Sequence, residues 1–290
     1  EMAAHAQQWK LEEQYVAATA RRISSAANVP ATSAVLSGDP VEELCRRARE
    51  TGADLTVMTS HGRTGLSRAW LGSIAVGVVR RSAIPVLVLR PTDHRPISDV
   101  ERQLFSRILV PLDGSELARD ILPAAAALAR CSGGQIVLLR VVHPVPALAV
   151  NPDVLFAYAP PVPDDAATRP LVEEAERDLV EASRMLAESG ARVVAHRVIV
   201  AEHVAQAIIG VASGAGADVI AMSTHGRGTS RLALGSVADK VLRASGLPLL
   251  MRRPAKVAEE SLAVGVAAAA DQLPALSPGW ARVPPESGIR

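Results

Sequence analysis

Apolar residues along this chain form two kinds of pattern, which alternate. Short continuous runs, typical of buried strands, are separated by stretches in which apolar positions recur every three or four residues, as on an amphipathic helix. In the C-terminal half the runs fall at 107–113, 135–142, 192–199, 217–223 and 248–254. Strands that alternate with helices build a parallel sheet with helices on both faces, so the sequence predicts an α/β fold.

The helical stretches complete this alternation. The C-terminal half predicts helices at 116–130, 168–189 and 203–213, and a last one that begins near Ser236. The N-terminal half predicts helices at 1–28, 40–51 and 73–82 and strands at 31–36, 54–59 and 85–90. In the second helix Pro40 occupies the first position after the turn Ser37-Gly38-Asp39, and Gly52 ends it.

A Gly-rich stretch after one strand of each half shows that the halves are copies of one domain. MTSHGRTGLSRAWLGSI occupies 58–74 and MSTHGRGTSRLALGSV occupies 222–237. His61-Gly62-Arg63 and His225-Gly226-Arg227 are 164 residues apart (225 − 61), whereas Gly72-Ser73 and Gly235-Ser236 are 163 apart (235 − 72). The second loop is therefore one residue shorter, and a repeat of this length indicates duplicated domains rather than a short-period solenoid.

The order of elements predicts that the first copy is incomplete. The counterpart of Asp113 would fall at 113 − 164 = −51, so the first unit lacks an opening strand, a first helix and a second strand. We expect a partial domain at 1–91, a linker at 92–105, a complete domain at 106–254 and a disordered tail at 255–290. Six prolines within 143–165 predict an irregular surface loop inside the complete domain.

The repeated loop has the chemistry of a phosphate site. It follows a strand and leads into the N-terminus of a helix, where free N–H groups and the helix dipole favour an anion. Small residues such as Gly226 and Gly235 allow the backbone to approach a ligand closely. Arg227 and Arg231 add positive charge to the second loop.

Composition restricts the partners. The chain has 290 residues, 49% of them apolar but only 2% aromatic, which suits α/β cores of Ala, Val, Leu and Ile. A net charge of +1 gives no electrostatic reason to expect nucleic acid or an anionic membrane. No apolar run reaches the roughly 20 residues of a membrane span, and no signal peptide is visible. Cys45 and Cys131 are expected to be buried free thiols, so we expect a cytoplasmic protein.

Motifs for catalysis and metal binding are missing from the sequence. It contains neither Gly-x4-Gly-Lys-Ser/Thr nor Gly-x-Gly-x-x-Gly, and no Cys/His spacing suggests zinc. His61 and His225 are open to a catalytic interpretation, but a hydrogen-bonded loop anchor is the more common role for such a histidine. We therefore predict no catalytic residue and no metal ligand.

These residues resemble the universal stress protein family in its tandem form. The signature of that family is Gly, two residues, Gly, nine residues, Gly-Ser/Thr, after a first strand that ends Val-Pro-Leu-Asp-Gly-Ser, as at 110–115. Thr59 and Ser223 replace the first glycine of the signature in the first and second loops. In the second loop, eight residues instead of nine separate Gly226 from Gly235. The resemblance covers 1–91 and about 106–254. It implies an open parallel five-stranded sheet of order 3-2-1-4-5 in each complete copy.

The resemblance also implies an adenine nucleotide site where the strand order reverses. Pro111, Asp113, Val141 and Met222 would border the adenosine. The phosphates would lie against Ser223, Gly226, Arg227, Gly235, Ser236 and Val237, and the cofactor would be ATP with Mg²⁺. From the residues alone, Asp113 is open to a second role as the cap of the helix that begins at Ser115–Glu116. The first unit, which lacks the Asp113 counterpart, is not expected to bind nucleotide.

Three functions remain open. The first is a non-enzymatic, ATP-binding regulator of the stress response that acts through nucleotide-dependent conformation or partner binding. The second is a nucleotide-free interaction protein that dimerises, and the third is a slow ATPase. In the family, fifth strands meet edge to edge. That implies pairing of Val86–Leu89 with Leu249–Arg252, either as an intrachain domain pair or in a homodimer.

Overall fold

The computed structural model describes residues 2–60, 72–90, 105–147, 164–227, 234–255 and 257. Its strands are β1 (Thr56–Thr59), β2 (Val86–Leu89), β3 (Arg107–Leu112), β4 (Gln135–Val142), β5 (Arg192–Val200), β6 (Val219–Ser223) and β7 (Leu249–Arg252). Its helices are α1 (Met2–Ala27), α2 (Pro40–Glu50), α3 (Ser73–Arg81), α4 (Glu116–Arg119), α5 (Leu122–Ser132), α6 (Asp165–Glu188), α7 (Val204–Gly214) and α8 (Ser236–Ala244).

The C-terminal unit forms an open parallel sheet. Its five strands lie in the order β5-β4-β3-β6-β7, which is 3-2-1-4-5 when they are numbered within the unit, and every neighbouring pair is parallel. The expected α/β fold class is therefore confirmed. The strand order reverses between β3 and β6, because the chain builds outward from β3 in one direction and then returns to its other side.

The N-terminal unit extends the same sheet. β1 and β2 are parallel, and β2 pairs antiparallel with β7, so that Leu87 lies opposite Leu250. The full order is β1-β2-β7-β6-β3-β4-β5. Leu87 and Leu250 are 4% and 1% exposed, and this junction between the two units is therefore part of the buried core.

Helices cover the sheet on both faces. Leu109 and Ile220 contribute to the core that includes α3, α7 and α8. The neighbouring residues Ile108 and Val219 contribute to the core that includes α5 and α6. This alternation follows from the two-residue period of a strand, and it explains why strands buried on both faces read as continuous apolar runs.

Two predictions about secondary structure were wrong. Residues 31–36, expected to form a strand, have neither strand nor helix conformation. A strand needs a neighbour for its N–H and C=O groups, and no described strand pairs with these residues: β1 pairs with β2, and β2 with β1 and β7. The helix expected at 116–130 is broken into α4 and α5, because Pro123, near the start of α5, has no N–H to continue the hydrogen-bond ladder.

Several predicted segments cannot be compared with the structure. The loop at 61–71, most of the linker at 92–105 and most of the proline-containing loop at 143–165 lie outside the described residues. So does nearly all of the tail at 255–290. Along the described ranges, no helix is both long enough and apolar enough to cross a membrane.

Candidate functional site

A cavity of about 660 Å³ opens at the carboxyl ends of β3, β4 and β6. This is the edge where the strand order reverses, the general location of ligands in open parallel sheets. Its volume lies within the usual range for small-molecule sites. All ten residues predicted from the sequence line this cavity: Pro111, Asp113, Val141, Met222, Ser223, Gly226, Arg227, Gly235, Ser236 and Val237.

Asp113 connects the loop after β3 to the loop after β6. Its Oδ1 accepts hydrogen bonds from the N–H and the hydroxyl of Ser115, at 2.9 and 2.6 Å. Its Oδ2 accepts the backbone N–H of Arg227 at 2.7 Å. The N-cap of α4 is Ser115, whose hydroxyl accepts the N–H of Ala118 at 3.1 Å. Asp113 therefore orients the capping residue and does not itself cap the helix.

Gly226 is required by this contact. A Cβ at position 226 would overlap Asp113 Oδ2, so any other residue would displace the carboxylate from the Arg227 N–H. The role of Gly226 in the structure is thus to let the side chain of Asp113 reach the second loop. From the sequence, Gly226 was predicted only to contact a phosphate group.

Gly235 closes the loop onto its own beginning. Its N–H donates to the carbonyl oxygen of Thr224 at 2.9 Å, and a Cβ would lie 3.0 Å from that oxygen. Gly72 makes the equivalent bond to the Ser60 carbonyl at 2.9 Å in the first unit. The repeated Gly-Ser pair therefore ends each loop in the same way.

The N-terminus of α8 faces the cavity. Gly235 is its N-cap and supplies no side-chain acceptor. Ser236, Val237 and Ala238 form the first turn and line the cavity. Because the first N–H groups of a helix have no intrahelical acceptor, this turn can donate to an anion.

His225 is positioned as a loop anchor. It is 8% exposed, and its Nδ1 lies 2.8 Å from the Thr224 hydroxyl. Its backbone N–H lies 3.4 Å from the Ser223 Oγ. His61 and Arg231 lie outside the described residues.

Arg140, on β4, is a cavity residue that sequence reasoning missed. It is 7% exposed and lies 4.0 Å from Asp178 of α6, measured from Nη1 to Oδ2. Burial lowers the pKa of Arg140, and the charge of Arg227 lowers that pKa further, while Asp113, Asp178 and Glu174 oppose the shift. The sequence does contain one indication of this role: Arg140 is the single charged residue in the apolar run of β4, and a charged residue that is buried needs a partner.

The described residues contain no group of three or more His, Cys, Asp or Glu side chains able to hold a metal ion. Two carboxylates line the cavity, those of Asp113 and Glu174, and Asp178 lies 4.0 Å from the lining residue Arg140. Asp113 Oδ1 already accepts two hydrogen bonds, and Glu174 lies 4.0 Å from Arg227 Nη2. The residues at hand suit an anionic or polar ligand held by N–H donors.

The family model of the universal stress protein family matches residues 1–90 and 104–253. A universal stress protein of Mycobacterium tuberculosis is 29% identical over 222 residues, which cover 76% of this chain and 68% of the relative. One from Thermus aquaticus is 30% identical over 155 residues, which cover 52% of this chain and all of the relative.

Solved structures agree on the fold. The crystal structure of a universal stress protein from Archaeoglobus fulgidus superposes with a TM-score of 0.56 at 22% identity. The superposition covers 86% of this chain and 78% of that one. At this level of identity the likeness concerns the architecture alone.

Proposed function

Because this chain belongs to the universal stress protein family, we propose that its C-terminal unit binds ATP and acts as a non-enzymatic regulator of the stress response. Its output would be a nucleotide-dependent conformation or the binding of a protein partner. The observation that carries the proposal is the cavity where the strand order reverses, with Asp113, the loop glycines and the first turn of α8 around it.

The lining supports a nucleotide with its phosphates at α8. The first turn of α8 has free N–H groups, and its dipole favours negative charge. Val141 and Met222 supply apolar surface for a base, and Asp113 lies beside them with an acceptor for a ribose hydroxyl. We expect Mg²⁺ to enter on the phosphate groups, since this ion usually binds through substrate phosphates and keeps several waters.

Absence of turnover is part of the proposal. The buried His225 has its Nδ1 beside the Thr224 hydroxyl and is suited to holding the loop. General acid–base catalysis needs a group within hydrogen-bond reach of the reacting proton, with a pKa near the working pH. A slow ATPase would use one of the carboxylates instead, and a single-turnover assay with radiolabelled ATP separates the two outcomes.

One observation favours the nucleotide-free alternative. The Arg227 N–H, which would be a donor for phosphate, is already bonded to Asp113. An interaction protein would keep that bond permanently, whereas in a nucleotide-binding protein the phosphate would replace the bond or lie beside it.

The last strands of the two units, β2 and β7, each have a neighbouring strand on both sides. Within the proposal they therefore join the two units of one chain and do not join two chains.

Isothermal titration calorimetry with the full chain tests the proposal. We expect ATP with Mg²⁺ to bind at one site per chain, and native mass spectrometry of the freshly purified protein to detect adenine nucleotide. If millimolar ATP gives no heat and no nucleotide copurifies, the nucleotide-free interaction protein is the correct description.

A further inference from the structure

Arg140 is a buried cation whose Nη1 has no hydrogen-bond partner among the described residues. It projects from β4 and is 7% exposed. Its nearest carboxylate, Asp178, lies at 4.0 Å, beyond hydrogen-bond distance, and Asp178 also lies 3.8 Å from Arg119. A buried charged group without a bonded partner is costly, so the arrangement favours an acceptor supplied from the cavity.

A second arginine converges on the same point. A Cβ built on Gly114 would lie 2.8 Å from Arg227 Nη2 and 2.6 Å from Asp178 Oδ2, and it would overlap Arg140 Nη1. The two guanidinium groups therefore approach each other across Gly114, which has φ +80° and no side chain to separate them. Like charges this close repel. The Asp178 carboxylate at the same point offsets part of this repulsion but lies 4.0 Å from Arg140 Nη1, so an anion that bonds to both guanidinium groups would relieve the rest.

The neighbouring carboxylates leave these N–H donors available. Asp113 accepts its hydrogen bonds from Ser115 and from the backbone of Arg227, not from either guanidinium. Glu174 lies 4.0 Å from Arg227 Nη2, again beyond hydrogen bonding. Two guanidinium forks with free donors match the oxygens of a phosphate, to which arginine binds bidentately.

We propose that Arg140 and Arg227 form a second oxyanion subsite in this cavity, beside Asp113, which takes a phosphate carried on the ribose of the nucleotide. This inference rests on the proposed function, because it places the ribose beside Asp113. In doubly wound nucleotide-binding folds, an arginine near the acidic residue at the ribose accommodates a ribose phosphate. The subsite is separate from the first turn of α8, and inorganic phosphate bound next to an ordinary nucleotide would use the same chemistry.

The test compares AMP, adenosine 2′,5′-bisphosphate, adenosine 3′,5′-bisphosphate and inorganic phosphate by calorimetry on the full chain. Wild-type protein should bind one of the bisphosphates about tenfold or more tightly than AMP, the effect of one or two charge-assisted hydrogen bonds. Arg140→Met, which keeps the apolar stem, should bind AMP and the bisphosphates equally. Arg197→Met is the matched control, because Arg197 is an exposed arginine on the adjacent β5 that does not line the cavity.

Each remaining outcome is decisive. If the bisphosphates have no advantage but inorganic phosphate binds wild type and not Arg140→Met, the subsite stands and free phosphate is its ligand. If wild type prefers neither bisphosphate and binds phosphate no better than Arg140→Met does, the subsite is refuted and Arg140 is structural. The wild-type comparisons hold even if Arg140→Met fails to fold. Arg227→Met, at the other arginine of the subsite, whose side chain is 58% exposed, then serves as the variant and should also lose the preference for a bisphosphate. If AMP and ATP do not bind at all, the proposed function fails, while phosphate binding still decides the subsite.

Discussion

The Asp113 carboxylate accepts the backbone N–H of Arg227 at 2.7 Å, and these two residues are 114 positions apart in the chain. The bond joins the loop after β3 to the loop after β6, across the point where the strand order reverses. It exists because position 226 is glycine, whose missing Cβ leaves room for the carboxylate. The geometry of the candidate nucleotide site therefore depends on one long-range contact.

Replacing Asp113 by alanine should weaken both the loop and ligand binding. We expect ATP affinity to fall by about 1–3 kcal/mol, the range for a lost hydrogen bond to a charged group. Calorimetry measures the affinity, and thermal denaturation should show a lower melting temperature because the Arg227 and Ser115 donors lose their acceptor. Asp54→Ala is the control, since Asp54 is exposed and lies in the first unit. Equal ATP affinity in Asp113→Ala and wild type would contradict this role.

Gly235→Val should abolish ATP binding by filling the space beside the first turn of α8. The substitution also brings a branched side chain against the Thr224 carbonyl, 3.0 Å from the Cβ position, so some loss of stability is expected. Calorimetry reports binding, and circular dichroism reports whether the fold survives. Gly210→Ala is the matched control, because its Cβ would meet nothing within 4 Å. It should bind ATP normally and gain about 0.5–1 kcal/mol of stability, since alanine favours a helix interior. Normal ATP binding by Gly235→Val would argue against a cradle at this turn.

Val88→Lys should disrupt the junction between the two units. Val88 is 1% exposed and lies opposite Leu249 across the antiparallel pair. Burying an unpaired ammonium there should lower the free energy of unfolding in urea by about 3 kcal/mol or more. Val57→Lys, at a site 54% exposed on the edge strand β1, should change it by less than about 0.5 kcal/mol. Gel filtration of both variants reports any change in association. If Val88→Lys were as stable as Val57→Lys, the β2–β7 pairing would be wrong.

The two cysteines should react at different rates. Cys131 is exposed, so the prediction that both thiols are buried was wrong for this residue. Cys45 is buried against the core, and burial raises the pKa of its thiol. A thiol reagent should therefore label Cys131 first and reach Cys45 only when the N-terminal unit opens. Mass spectrometry of the labelled protein gives both rates. Equal labelling of the two thiols in folded protein would show that α2 does not pack as described.

The same pKa shift predicts a loss of stability at alkaline pH. The unfolded chain ionises Cys45 above about pH 8.5, while the folded chain keeps the thiol protonated, so the unfolded state is favoured increasingly as pH rises toward the folded pKa. Below about pH 8.5 the thiol is protonated in both states, so the stability that it contributes is fully present. Urea denaturation between pH 7 and 10 should show that the free energy of unfolding declines as the pH rises. Cys45→Ala should reduce this decline, and Cys131→Ala should leave it unchanged.

The sequence by itself determined what depends on neighbouring residues. β4 occupies the predicted residues 135–142. Asp39, the residue before Pro40, caps α2 as the turn residues predicted, because its side chain accepts the N–H groups of Val41 and Glu42. The second Gly-rich loop follows a strand, β6, and leads into a helix, α8, as predicted, because both elements are local patterns. The strand order was predicted only through the resemblance to the family, and the structure confirms it.

Only the tertiary structure decided which side chains meet. Residues 31–36 have a strand composition but pair with none of the strands that the structure describes, and hydrogen bonds to a neighbour are what make a strand. Arg140 reads as one polar residue in an apolar run until β3, β4 and α6 bring Gly114 and Asp178 to it. The Asp113–Arg227 bond is equally invisible in sequence, because a contact between two loops depends on how the sheet orders its strands. Local propensity acts over a few residues, whereas burial, charge and cavity shape come from segments that are far apart in the chain, such as Arg140 and Asp178, 38 positions apart, and Asp113 and Arg227, 114 positions apart.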